Sequence, residues 1–226
     1  MGGCMMTQFE NLGLRGVIFD MDGLLFDTEI LYVEAWPHVG EAMGFSVTEE
    51  VARRMISRSR RECEAMLLDL YGPDFSLTEA YKIMVQRIRP QLETRGVPLK
   101  PGARELLQFL HREKVPVGLG TSNSSEVAKA YLGATGLAAY FDALVAGDMV
   151  THAKPAPDIF LRAAAELGLR SEQCLVLEDS SVGVEAAYRA GCLSALVPDL
   201  LAPTEEAIGR AWRVFGSLTE VQGTLF

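Results

Sequence analysis

Apolar residues along this 226-residue chain fall into two rhythms. Short apolar runs, several of them closed by a polar residue, alternate with stretches in which apolar positions recur every three or four residues. An unbroken run of β-branched and aromatic residues suits a strand buried on both faces, whereas the longer spacing lays one side of a helix against a core. Residues 16–20 (Gly-Val-Ile-Phe-Asp) form the first such strand, and a turn at Gly23 follows. From about Glu29 to Arg95 only helical spacing is found: three or four helices, with turn signals at Gly44-Phe45-Ser46, Gly72-Pro73 and Gly96. After Pro101-Gly102 an amphipathic helix over residues 103–112 carries Leu106, Leu107 and Leu110 on one side. Strands are then predicted over 115–120, 143–146, 174–177 and 193–197, the last of the series. Helices are predicted over 126–135, 157–167 and 182–189, the third stopped by Gly191.

Buried strands alternating with helices imply an α/β fold: a doubly wound, Rossmann-like parallel sheet covered on both faces. The helical block interrupts that alternation after the first strand. It reads as an inserted all-helical cap domain, residues 29–96, with the core built from residues 1–28 and 97–226.

Composition narrows the function. Hydrophobic residues at 49% and charged residues at 23% are ordinary for a globular protein. Thirty Asp plus Glu against 21 Lys plus Arg give a net charge of -9, the wrong sign for nucleic acid or an anionic membrane surface. A small anionic substrate stays open if a metal and local cations reverse the field at the site. Cys4, Cys63, Cys174 and Cys192 contain no C-x-x-C pair, so neither a disulfide framework nor a zinc site is expected. Cys174 and Cys192 adjoin apolar runs and read as buried thiols. The first seven residues show neither a secretory nor a myristoylation pattern, and no run approaches the roughly 20 apolar residues that span a bilayer. A soluble, cytoplasmic, monomeric protein is expected.

The chemistry collects where the strands end. Asp20 closes the first strand, Thr121 and Ser122 the second, and Glu178 and Asp179 a later one, while Lys154 lies in the loop after the short third strand. In an open parallel sheet the C-terminal strand ends share one edge, and ligands bind there. Asp20, Asp22, Glu178 and Asp179 are hard oxygen donors suited to Mg²⁺, and their mutual repulsion calls for a cation. Lys154 adds a fixed positive charge and Thr121 a hydroxyl, a set that suits a phosphoryl group held between metal and lysine. Each residue also has a plain structural use. Asp20-Met21-Asp22-Gly23 can be a loop, Glu178-Asp179-Ser180 a helix N-cap, and Lys154 a solvated loop residue.

The run Asp20-Met21-Asp22-Gly23-Leu24-Leu25-Phe26-Asp27-Thr28-Glu29 resembles the first motif of the haloacid dehalogenase superfamily, D-x-D-G-x-x-x-D-[ST]. Gly120-Thr121-Ser122-Asn123 is similar to its second motif and Lys154-Pro155 to its third. Glu178-Asp179-Ser180-Ser181-Val182-Gly183, with Ala186-Ala187 and Ala190-Gly191, is similar to the fourth. The inserted helices match the helical-cap branch, which includes β-phosphoglucomutase and many sugar phosphatases. The resemblance implies Asp20 as nucleophile forming an aspartyl phosphate and Asp22 as general acid, then base. It implies Mg²⁺ held by the Asp20 carboxylate, the Asp22 backbone carbonyl and Asp179, with Glu178 as a further ligand or outer partner. It also implies a phosphate held by Thr121, groups near Ser122 and Asn123, and Lys154. A carboxyl two residues after the nucleophile serves an alkoxide leaving group, so phosphate chemistry is favoured over carbon–halogen cleavage.

The expected function is Mg²⁺-dependent hydrolysis of a small phosphorylated metabolite, a sugar or polyol phosphate. The alternative is a mutase of the same branch, weakened because Tyr32 stands where mutases carry a histidine early in the cap. A non-enzymatic sensor of phosphorylated metabolites is a third reading, which retention of Asp20, Asp22, Lys154 and Asp179 argues against. Arg53, Arg54, Arg58, Arg60 and Arg61 spread over more than one helix face and read as solvated surface, although Arg60 matches a mutase arginine that holds a second phosphate. His38, His111 and His152 form no spaced pair and read as non-catalytic. Trp36, Met43 and Phe45 read as packing, and Asp27 and Thr28 as linker residues or a helix cap.

Overall fold

A computed structural model of the chain describes residues 7–56, 58 and 60–226. Two compact units are present: one runs through Phe26 and resumes at Leu99, the other is Asp27–Pro98. In chain order the first unit opens with α1 (Thr7–Asn11) and β1 (Gly16–Phe19). The second supplies α2 (Glu29–Met43), α3 (Glu49–Arg53), α4 (Arg60–Tyr71) and α5 (Leu77–Arg95). The first unit then resumes with α6 (Ala103–Arg112), β2 (Val117–Gly120), α7 (Ser125–Thr135), β3 (Ala143–Val145), α8 (Asp158–Glu166) and β4 (Cys174–Glu178). It closes with α9 (Ser181–Ala190), β5 (Leu193–Leu196), α10 (Glu205–Arg210), β6 (Arg213–Val214) and α11 (Leu218–Leu225).

All six strands lie parallel in one sheet of order β3-β2-β1-β4-β5-β6. Strand β1 is central: Val17 pairs with Val117 on one side and Leu175 on the other. Its apolar run is unbroken because both faces are covered. Ile18 joins Val176 against Ile159, Phe160 and Ala163 of α8 and Ala186 and Ala187 of α9, while Val17 and Phe19 are buried on the opposite face. Burying each of these large side chains contributes about 2 kcal/mol. The series does not end at residues 193–197 as expected, because β6 adds a sixth, edge strand. It is two exposed residues beginning with an arginine, which is how sheet edges avoid further pairing and why no apolar run announces it.

Strand β2 contains two glycines, and Gly120 decides how close α8 can come. A Cβ there would stand 2.9 Å from Ile159 Cγ2 and 3.1 Å from Phe160 Cε1. Bare backbone at this point lets the first turn of α8 lie against the strand end.

In the second unit four helices answer the helical spacing. Thr48 and Ser76 cap α3 and α5 through their side-chain oxygens. Phe45, Tyr71 and Phe75 form a ring cluster with centroids 5.0 to 5.8 Å apart, and buried Trp36 meets Tyr81 edge-on, so Trp36 and Phe45 pack as expected. The two chain crossings between the units run side by side. The Asp27 N–H donates to Pro98 O at 3.0 Å, Phe26 bridges Leu99 in antiparallel fashion, and the Lys100 N–H donates to Leu25 O at 2.9 Å. Among the described residues no helix is long and apolar enough to cross a membrane. Cys63, Cys174 and Cys192 are buried free thiols, and Cys4 lies outside the described residues.

Candidate active site

Asp20 follows the last residue of β1, and its N–H donates to Leu177 O of β4, so the central strand fixes its backbone. Its side chain is buried. Lys154, whose side chain is only 6% exposed, donates to Asp20 Oδ1 at 2.5 Å, Glu178 Oε1 at 2.6 Å and Gly120 O at 3.0 Å. The ammonium also stands 4.7 Å from the Phe160 ring centroid, a cation–π contact that exists because Gly120 admits the start of α8. The Lys154–Pro155 peptide is cis.

Glu178, the last residue of β4, is fully buried and uses both carboxylate oxygens. Oε1 accepts from Lys154, while Oε2 accepts from the Ser180 N–H at 3.1 Å and the Ser180 hydroxyl at 2.9 Å. Ser180 is also the N-cap of α9 and accepts from the Gly183 N–H at 3.1 Å. The capping use and the site use of this segment therefore coexist. Glu178 fills the space where a Cβ on Gly183 would stand, 1.8 Å from its Cδ.

Asp20, Glu178 and Asp179 bring carboxylate oxygens within 4.8 Å of one another, all three buried. Gly23 makes room beside them. Its φ of +79° is left-handed, and a Cβ there would stand 2.3 Å from Asp179 Oδ2. Burial, helped by the charges of Glu178 and Asp22, pushes the Asp20 carboxyl up to about 7 against the opposing pull of Lys154. Burial alone would lower the Lys154 ammonium, but Asp20 and Glu178 outweigh it and hold it above its ordinary value.

Asp22 is turned to a different partner. Asn123 Nδ2 donates to Asp22 Oδ2 at 2.6 Å, while the Asn123 N–H donates to Thr121 Oγ1 at 3.1 Å. Thr121 is buried at the end of β2, anchored by its N–H to Val145 O. The turn is tight: a Cβ on Gly147 would stand 2.3 Å from Ser122 O, and the Gly147 N–H donates to Asn123 O at 2.8 Å. Ser122 itself is exposed. The strand-end residues read from the sequence thus gather as two small groups, Asp20–Lys154–Glu178–Asp179 and Asp22–Asn123–Thr121.

Arg60 belongs to the helical unit, where it is exposed, donates to Thr78 Oγ1 at 3.0 Å and lies 5.3 Å from the Tyr81 ring centroid. Phe160, Lys100 and Asp199 are not among the strand-end residues that the sequence singles out. Asp199 carried a usable signal, since Val197-Pro198-Asp199 follows an apolar strand as Asp20 follows β1.

The described acids and lysine fit the chemistry of a known family. A family model for haloacid dehalogenase-like hydrolases matches residues 14–191. The phosphorylated carbohydrates phosphatase of Thermotoga maritima is 38% identical over 178 residues, 79% of this chain and 82% of that protein. The fructose-1-phosphate phosphatase YqaB of Escherichia coli is 33% identical over 176 residues, 78% of this chain and 92% of that protein. CbbY from Rhodobacter sphaeroides, solved in complex with xylulose-(1,5)-bisphosphate, superposes with a TM-score of 0.78 at 28% identity, covering 92% of this chain and 96% of that one. This chain therefore belongs to the haloacid dehalogenase-like hydrolases, as an enzyme of the phosphatase type.

Proposed function

We propose that this enzyme is a Mg²⁺-dependent phosphatase that hydrolyses a small sugar or polyol phosphate through an aspartyl phosphate on Asp20. The observation that carries the reading is the group at the end of the central strand. Buried Asp20 lies beside Lys154 and two further acids, with a second carboxylate, Asp22, held two residues away by Asn123. The kinship with phosphatases of phosphorylated carbohydrates and of fructose 1-phosphate supports the substrate class.

The donor set fits a hard divalent cation. Three buried carboxylates crowd within 4.8 Å against one lysine, and Gly23 keeps the space beside Asp179 free of a side chain. Asp20, Asp179 and the Asp22 backbone carbonyl would hold Mg²⁺. Glu178 would stand outside them, because Lys154 and Ser180 already engage both its oxygens. The bound ion would neutralise charge on Asp20 and on the transferring phosphoryl group.

In this reading Asp20 attacks phosphorus and Asp22 gives a proton to the departing alkoxide. Asp22 then takes a proton from the water that hydrolyses the acyl phosphate. Asn123 positions that carboxyl. Thr121 accepts from the Asn123 N–H, so its own hydroxyl proton is available to a phosphate oxygen, beside backbone groups near Ser122. Lys154 supplies the fixed positive charge. The helical unit, inserted after the nucleophile's strand, serves as the cap that selects small substrates, and Arg60 is its candidate contact for a distal anion.

Phosphate release from sugar and polyol phosphates, with and without Mg²⁺ and with Asp20→Asn, tests the reading. Metal-dependent release that Asp20→Asn abolishes is expected. Conversion of β-glucose 1-phosphate to the 6-phosphate without release would replace hydrolysis by mutase chemistry, and neither activity would leave a sensor.

A further inference from the structure

Asp199, three residues beyond β5, is bonded on one side only. Lys100 Nζ donates to its Oδ1 at 2.5 Å, and the Asp199 side chain is 8% exposed. Its other oxygen, Oδ2, is buried without a hydrogen-bond partner. Buried carboxylate oxygens are rarely left so, because the lost hydration is not replaced. The unbonded oxygen faces the acidic group of the active site. It lies 3.3 Å from the point where a Cβ on Gly23 would stand, and Asp179 Oδ2 lies 2.3 Å from that same point. Oxygens of Asp179 and Asp199 are within 4.8 Å of each other. Two carboxylates at this distance repel each other, and the unbonded Oδ2 of Asp199 calls for a donor between them. Mg²⁺ binds with several of its waters retained, and each such water presents O–H groups polarised by the ion.

We propose that Asp199 is a positioning residue of the metal centre: its Oδ2 accepts a hydrogen bond from a water carried by the cation held at Asp20 and Asp179, and Lys100 keeps it in that orientation. Outer partners of this kind set metal affinity without touching the ion. The inference rests on the Mg²⁺ reading above, and Asp179→Asn separates the two.

The experiment is isothermal titration of the full chain with MgCl₂, comparing the parent protein with Asp179→Asn, Asp199→Asn and Asp199→Ser. One site is expected in the parent and none in Asp179→Asn. Both Asp199 variants should keep the one site but bind about tenfold more weakly. In turnover assays the Mg²⁺ concentration for half-maximal rate should rise by the same factor while kcat at saturating Mg²⁺ is unchanged, a split that a merely structural role would not produce. Parent-like affinity in both Asp199 variants, with binding lost in Asp179→Asn, overturns the role of Asp199 and leaves the metal site standing. No Mg²⁺ binding in the parent, or parent-like binding in Asp179→Asn, overturns the metal reading and this inference with it. Loss of cooperative melting in both Asp199 variants would make Asp199 only a structural partner of Lys100, which also overturns the proposal.

Discussion

Replacing Gly183 with alanine sets two effects of opposite sign against each other. Gly183 lies within helix α9, where alanine is intrinsically better by about 0.8–1 kcal/mol. The added methyl would stand 1.8 Å from Glu178 Cδ and Oε1, so the carboxyl group must move. It is the end of a flexible side chain, but it is fully buried and bonded to Lys154 and twice to Ser180. Moving it breaks a buried ion pair, which costs about 3–5 kcal/mol. Net destabilisation of about 2–4 kcal/mol follows, and at about 2–4 °C per kcal/mol for a chain this long the melting temperature should fall by roughly 10 °C. Gly133 in α7 is the control. It is exposed, and a Cβ there meets nothing within 4 Å, so Gly133→Ala should stabilise by about 0.5–1 kcal/mol. Thermal melts followed by circular dichroism in EDTA compare the three proteins. If Gly183→Ala melts at or above the parent, as Gly133→Ala should, then Glu178 is not held as described and the argument fails.

Two further outcomes concern the charges themselves. Lys154→Ala leaves Asp20 and Glu178 buried without their ammonium partner and should lower metal-free stability by about 3–5 kcal/mol; a urea midpoint equal to the parent's would refute that. Asp20 ionises at 3.8 when unfolded and at about 7 in the fold, so between those values the folded protein holds the extra proton, and this group's contribution to stability falls as pH rises from about 4 to 7. A cation needs the ionised form. Mg²⁺ binding should therefore release a proton near pH 6 and almost none near pH 8, read by titration calorimetry in two buffers of different ionisation heat; equal heats near pH 6 would contradict it.

The parts of the site legible in the sequence are those fixed by strand direction. Asp20, Thr121 and Glu178 each end an apolar run, and parallel strands bring such ends to one edge whatever their separation in the chain. Lys154 was legible from its place in the loop after the third strand and from its resemblance to a motif, although a loop lysine has no periodicity. Partner choice was less visible. Backbone groups near Asn123 read as phosphate contacts, but that its side-chain amide donates to Asp22 was not legible, because the turn that Gly147 tightens decides that pairing. The Lys100–Asp199 pair joins residues 99 positions apart in loops, where neither hydrophobic spacing nor capping chemistry points from one to the other. Strand β6 escaped notice because two exposed residues at a sheet edge need no apolar run.

The paired crossings at residues 25–27 and 98–100 bear on the order in which the chain folds. Strand β1 finds its partners only at Val117 and Leu175, so a growing chain exposes the Val17-Ile18-Phe19 segment until much later residues are made. Each helix of residues 27–98 closes its backbone hydrogen bonds within itself, the kind of local contact that forms early. Once they fold, the bonds from Asp27 to Pro98 and from Lys100 to Leu25 bring the two ends of a long insertion together. The search of β1 for β2 then becomes the closure of a short loop instead of a long one, with a smaller entropic barrier. A helical unit inserted inside the catalytic sheet thus doubles as the clasp that shortens the path to it.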